Sequence, residues 1–118
     1  MSKAAFIILA AGDAPESLGR VVNGLMGALE FTESGGEVKI IFDGAGTQGA
    51  AALAAPDHKY HELLEKVRPK ISGVCSYCAG VYQAKDKVAA AKLPLVDEFK
   101  GHPSFKSLID EGYTLLTF

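Results

Sequence analysis

Short apolar runs alternate with longer stretches in which apolar residues recur every three or four positions. The first run, Ala4–Leu9, is continuous and leads into "AAGDAP". Four more follow: "VKIIFD" (Val38–Asp43), "KISGVC" (Lys70–Cys75), "LPLVDE" (Leu93–Glu98) and "YTLLTF" (Tyr113–Phe118). Each is rich in branched or aromatic residues and bounded by Gly, Pro or charge, as strands buried on both faces are. Between the first two, Leu18, Val21, Val22, Leu25 and Leu29 keep helical spacing, opened by Pro15-Glu16 and closed near Gly35-Gly36. A second helix is predicted from about Asp57, as N-cap, to Arg68, where Pro69 stops it. A third begins beside Cys78 and runs through Val81, Tyr82, Ala84 and Val88. A fourth starts near His102-Pro103, turns Phe105, Leu108 and Ile109 inward, and ends at Gly112.

Strand and helix alternating in this way predict a mainly parallel five-stranded sheet between two layers of helices, a three-layer α/β/α fold. The 118 residues make one domain, 1–118, without repeat, linker or low-complexity stretch. In open α/β sheets ligands bind beyond the carboxyl ends of the strands. Four segments belong to that edge: "AAGDAPES", "DGAGTQGAAALAAPD", "CSYCAG" and "EFKGHPS".

Composition narrows the partners. A net charge of −2, with no block of Lys or Arg, lacks the basic surface that binding to a nucleic-acid backbone demands. The run Ala4–Ala11 is short for a secretion signal, follows a single lysine and has no clean cleavage site, so it reads as the first strand. No run approaches the length of a membrane span. These features point to the cytoplasm, where a close cysteine pair is more often reactive or metal-binding than a structural disulfide.

Both cysteines, Cys75 and Cys78, lie in "SGVCSYCAG" at the third strand–helix junction. With Ser76 as cap, Cys78 falls in the first turn of the helix, where unpaired backbone N–H groups and the helix dipole favour a thiolate. Thiols so placed can titrate well below the free value of about 8.5. Cys75, at the strand end, is near enough to attack Cys78 or be attacked by it. "GAGTQG" (Gly44–Gly49) matches G-x-G-x-x-G. However, it follows the second strand, stands behind the carboxylate of Asp43, and lacks an acidic ribose partner at the end of the next strand, so a flexible glycine loop is the reading it supports. His58 and His61, three apart, share a face of the predicted second helix. With the cysteines they would supply a Cys₂His₂ set for zinc; the other reading is two solvated imidazoles on a charged helix. A tetrahedral site would need that helix to tilt strongly, so no bound zinc is expected, with His58 nearer the cysteines than His61. His102 reads as a helix-start residue whose loop reaches the same edge.

The first strand with its polar loop "FIILAAGDAPES", then "KIIFDGAG", then "GVCSYCAGVYQAKD" and the final "YTLLTF" resemble the DsrE/DsrF-like family of sulfur-relay proteins along essentially the whole chain. The resemblance implies a three-layer α/β/α domain that assembles as an oligomer. It also implies a cysteine at this junction that holds sulfane sulfur as a persulfide, exchanged with donor and acceptor proteins or small thiols. Cys78, followed by Ala79-Gly80, matches the carrier position; Cys75 would release the sulfur by closing a disulfide. No metal or organic cofactor is called for. Two other functions stay open: a thiol–disulfide redox protein using the C-x-x-C pair, and a non-catalytic small-molecule or metal-binding module.

Overall fold

The computed structural model describes residues 2–118. Five strands, β1 (Lys3–Ile8), β2 (Glu37–Phe42), β3 (Ile71–Cys75), β4 (Leu95–Val96) and β5 (Thr114–Thr117), form one sheet in the order β4-β3-β2-β1-β5. Every neighbouring pair is parallel. Among the described residues the six α-helices are α1 (Pro15–Glu33), α2 (Gly46–Leu53), α3 (His61–Val67), α4 (Ser76–Val81), α5 (Lys85–Ala90) and α6 (Phe105–Asp110).

Strand alternation builds two cores. Ala4, Phe6 and Ile8 of β1, with Ile40 and Phe42 of β2 and Val74 of β3, face one side. There they meet Val21, Leu25 and Ala28 of α1, Ala50 and Leu53 of α2, Leu64 and Val67 of α3, and Val88 of α5. Ala5, Ile7 and Ile41 face the other side and are covered by Leu108 of α6 together with Tyr113. The asymmetry follows from handedness. Parallel crossovers are right-handed, so the steps β1 to β2 to β3 to β4, all in one direction, put their helices on one face. The return from β4 to β5 runs the opposite way and delivers α6 to the other face.

That reversal positions the site. The chain leaving β3 enters α4 on one side, whereas the chain leaving its neighbour β4 heads for α6 on the other. A crevice therefore opens between the carboxyl ends of β3 and β4, where ligands bind in open α/β sheets.

Several elements differ from the sequence reading. The supposed glycine loop contains α2. The second helix begins at His61, and Asp57–Tyr60 form turns in which His58 N–H donates to Ala55 O and His61 N–H to His58 O, both at 3.0 Å. The third helix is two, α4 and α5, broken where Gln83 takes φ +56°. Leu9, Phe105 and Ile109 are exposed rather than buried, leaving Leu108 as the inward residue of α6.

Candidate functional site at the carboxyl edge of the sheet

Cys75 is the last residue of β3 and is fully buried. It, rather than Ser76, is the N-cap of α4: its Sγ accepts the Cys78 backbone N–H at 3.4 Å. The first-turn donor that the sequence assigned to the Cys78 thiolate is thus spent on the sulfur of Cys75. Cys78, one turn along, is half-buried and is the more accessible of the two thiols.

Two side chains that the sequence places near this edge without assigning them to the site, His102 and Asp43, complete the cluster. His102 lies in the loop after β4, and its Nδ1 is 3.3 Å from Cys75 Sγ. Two reciprocal backbone hydrogen bonds with Phe99, both 2.8 Å, fix this loop. The imidazole lies beside the Tyr77 ring, with centroids 4.7 Å apart. Asp43 follows β2 and is buried; its Oδ1 accepts the Gly44 N–H at 2.8 Å. One donor atom from each of Asp43, Cys75, Cys78 and His102 lies within 4.8 Å of all the others.

This environment holds the Cys75 thiol in its protonated form. Burial is the largest cause, and hydrogen bonding with the Cys78 thiol and with Asp43 adds to it, as does the charge of Asp43. The Cys78 backbone N–H opposes them, yet the net effect pushes the Cys75 thiol up to about 12. The S–H has an acceptor in Gly101 O at 3.8 Å.

Asp43 is held in place by the packing behind it. Gly46 N–H donates to Asp43 O at 2.8 Å, starting α2 directly after the strand. A Cβ on Gly46 would overlap the Ile8 carbonyl oxygen, and one on Gly49 would lie 2.7 Å from Ala11 O. Gly46 and Gly49 of "GAGTQG" therefore let a helix lie against the chain leaving β1, and Gly44, at φ +54°, makes the turn before it.

His58 and His61 stand outside the cluster. His58 Nδ1 accepts the Tyr60 N–H at 3.0 Å, and His61 Nδ1 pairs with Leu53 O at 2.9 Å. Only His61 is in a helix, so the shared helical face expected for the pair does not form. Beside the cluster, Asp43 and His102 line a cavity of about 470 Å³ whose other walls include Phe99, Pro103, Phe105 and Lys106.

No protein-family model matches the sequence. The uncharacterized protein MJ0733 of Methanocaldococcus jannaschii is 35% identical over 92 residues, spanning 78% of this chain and 74% of that protein. The chain belongs to the MJ0733 family. The structure of BT1422, a conserved protein of unknown function from Bacteroides thetaiotaomicron, superposes with a TM-score of 0.65 over 97% of this chain and 94% of that one. At 17% identity, that likeness concerns the fold. Among the described residues, no helix is long and apolar enough to cross a membrane.

Proposed function

We propose that this member of the MJ0733 family is a DsrE-like sulfur-relay domain in which Cys78 carries sulfane sulfur as a persulfide. The observation that carries the reading is the pairing of a reachable thiol, Cys78, with a buried thiol, Cys75, that keeps its proton at neutral pH. In the loading step the Cys78 thiolate attacks the outer sulfur of a donor persulfide, R–S–SH. The donor S–S bond breaks, R–S⁻ departs and takes up a proton, and Cys78 holds –S–SH. In the unloading step an acceptor thiolate attacks that outer sulfur, and the Cys78 thiolate leaves. Neither step needs a net oxidant or reductant. A Cys75 thiol near 12 is a weak attacking group at neutral pH, which favours an external acceptor over release through a Cys75–Cys78 disulfide.

The reading includes a homo-oligomer that meets donor and acceptor thiols in the cytoplasm, and the exposed apolar side chains around the site support an interaction surface there. Tyr77, Val81, Phe99 and Phe105 are exposed apolar side chains on the segments around the site. Tyr77 packs on His102, and Phe99 and Phe105 wall the adjoining cavity. Such patches mark interaction surfaces.

Intact-mass measurement of protein isolated from cells without reductant tests the reading. The expected result is an added sulfur atom that maps to Cys78 and is removed by dithiothreitol. Loss of two hydrogens from the pair, without added sulfur, supports the thiol–disulfide alternative, for which the two sulfurs lie within 4.8 Å of each other. A thiol that never gains sulfur from a polysulfide donor refutes sulfur carriage.

A further inference from the structure

The cluster brings together donor types that a sulfur carrier does not require. A carboxylate after β2, a thiol ending β3, a thiol in α4 and an imidazole after β4 come from four separate segments and converge within 4.8 Å. We propose that Asp43, Cys75, Cys78 and His102 form a mononuclear site for a zinc-class divalent transition metal, bound through both thiolates, the imidazole and one carboxylate oxygen. The sulfur-transfer reading is not needed for this inference.

The geometry favours such an ion. Metal–sulfur bonds of about 2.3 Å and metal–nitrogen bonds of about 2.0–2.1 Å, arranged tetrahedrally, put neighbouring donors about 3.3–3.8 Å apart. Cys75 Sγ and His102 Nδ1 are already 3.3 Å apart. No two of the four donors are more than 4.8 Å apart, so a tetrahedral arrangement needs separations to close by at most about 1–1.5 Å. The supports are also in place: Gly44 N–H holds one carboxylate oxygen of Asp43, and the Phe99 bridge with the Tyr77 ring holds the imidazole. Two thiolates with an imidazole select zinc-like ions over magnesium or calcium, which take oxygen ligands. Binding releases two thiol protons to solvent and offsets the charge of the buried Asp43 carboxylate. The sequence considered zinc only with His58 and His61; the folded chain substitutes His102 and Asp43. Because the ion would hold both thiols, metal-bound protein would not accept sulfur.

The test is anaerobic titration of the reduced full-length chain with Co²⁺, followed by displacement with Zn²⁺. The expected result is one equivalent per chain, with a thiolate-to-cobalt charge-transfer band, the ligand-field spectrum of tetrahedral cobalt, and loss of both on adding zinc. His102→Ala and Cys78→Ser, at partly exposed positions and checked for folding by circular dichroism, should each weaken binding by more than about 10- to 100-fold, the cost of losing merely a ligand's supporting partner. His58→Ala and His61→Ala should leave it unchanged. Absence of the charge-transfer band in the folded wild type, or undiminished affinity in both His102→Ala and Cys78→Ser, overturns the site. If the protein takes up sulfur on Cys78 but no cobalt, only the metal proposal fails. If it binds cobalt but never sulfur, only the sulfur-relay reading fails.

Discussion

Gly46→Ala and Gly19→Ala are the same chemical change, and the structure assigns them opposite signs. Gly46 opens α2, and an added Cβ would overlap the carbonyl oxygen of Ile8 and lie 2.9 Å from its carbonyl carbon. Those atoms belong to the backbone of β1, an interior strand of the sheet, so no side-chain rotation relieves the clash. Either α2 withdraws or the end of β1 shifts, and overpacking of this kind costs about 1–3 kcal/mol, sometimes more. The gain in helix propensity is at most about 1 kcal/mol and is smaller in the first turn, so a net loss of about 2 kcal/mol is expected. Gly19 lies on the exposed face of α1 with nothing within 4 Å of an added Cβ. There the substitution should stabilise by about 0.8–1 kcal/mol. Urea unfolding followed by circular dichroism measures both, with midpoints moving in opposite directions at unchanged slope. Thermal midpoints should move by about 4 °C per kcal/mol. Because Gly46 N–H holds Asp43 O, Gly46→Ala should also disturb the cysteine site, which Gly19→Ala should not. If Gly46→Ala stays within about 0.5 kcal/mol of wild type, the segment is the flexible loop suggested by its glycines, and the packing argument fails.

Three further outcomes follow from the site and its supports. Iodoacetamide should modify Cys78 in the folded protein and Cys75 only on unfolding, and Cys75→Ser should leave most of the Cys78 rate; faster labelling of Cys75 would reverse their roles. The raised Cys75 thiol makes stability fall at alkaline pH, because above about pH 9 the unfolded chain gives up a proton that the folded chain retains. That contribution is complete below pH 9 and is lost as pH rises toward 12, by no more than about 1.4 kcal/mol per unit, so Cys75→Ala should flatten the stability difference between pH 8 and pH 10. Ser104 caps α6 by accepting the Ser107 N–H at 3.2 Å, so Ser104→Ala should cost about 1 kcal/mol in urea unfolding.

Local pattern alone specifies those element types that burial writes into it. Ala4–Ile8, Ile40–Phe42 and Val74–Cys75 read as strands because residues buried on both faces must be apolar in succession. The long amphipathic α1 and the parallel sheet followed from the same logic, as did the cysteine junction at the carboxyl edge. Where side chains are small, the pattern loses contrast. "GTQGAAAL" has almost no large apolar residue with which to show a helical period, so its pattern is that of a loop although it forms α2. Nothing in the side chain of Gln83 announced the positive φ that divides α4 from α5. The tertiary structure alone decided which loops meet. Strand order is fixed by pairing between distant segments, and it sets β3 between β2 and β4. That adjacency brings Asp43 and His102 to Cys75, while turns around His58 give its imidazole a local partner instead. The sequence named the edge; the reversal of chain direction after β4 chose the crevice between β3 and β4, because a crossover's handedness acts only once its strands are paired.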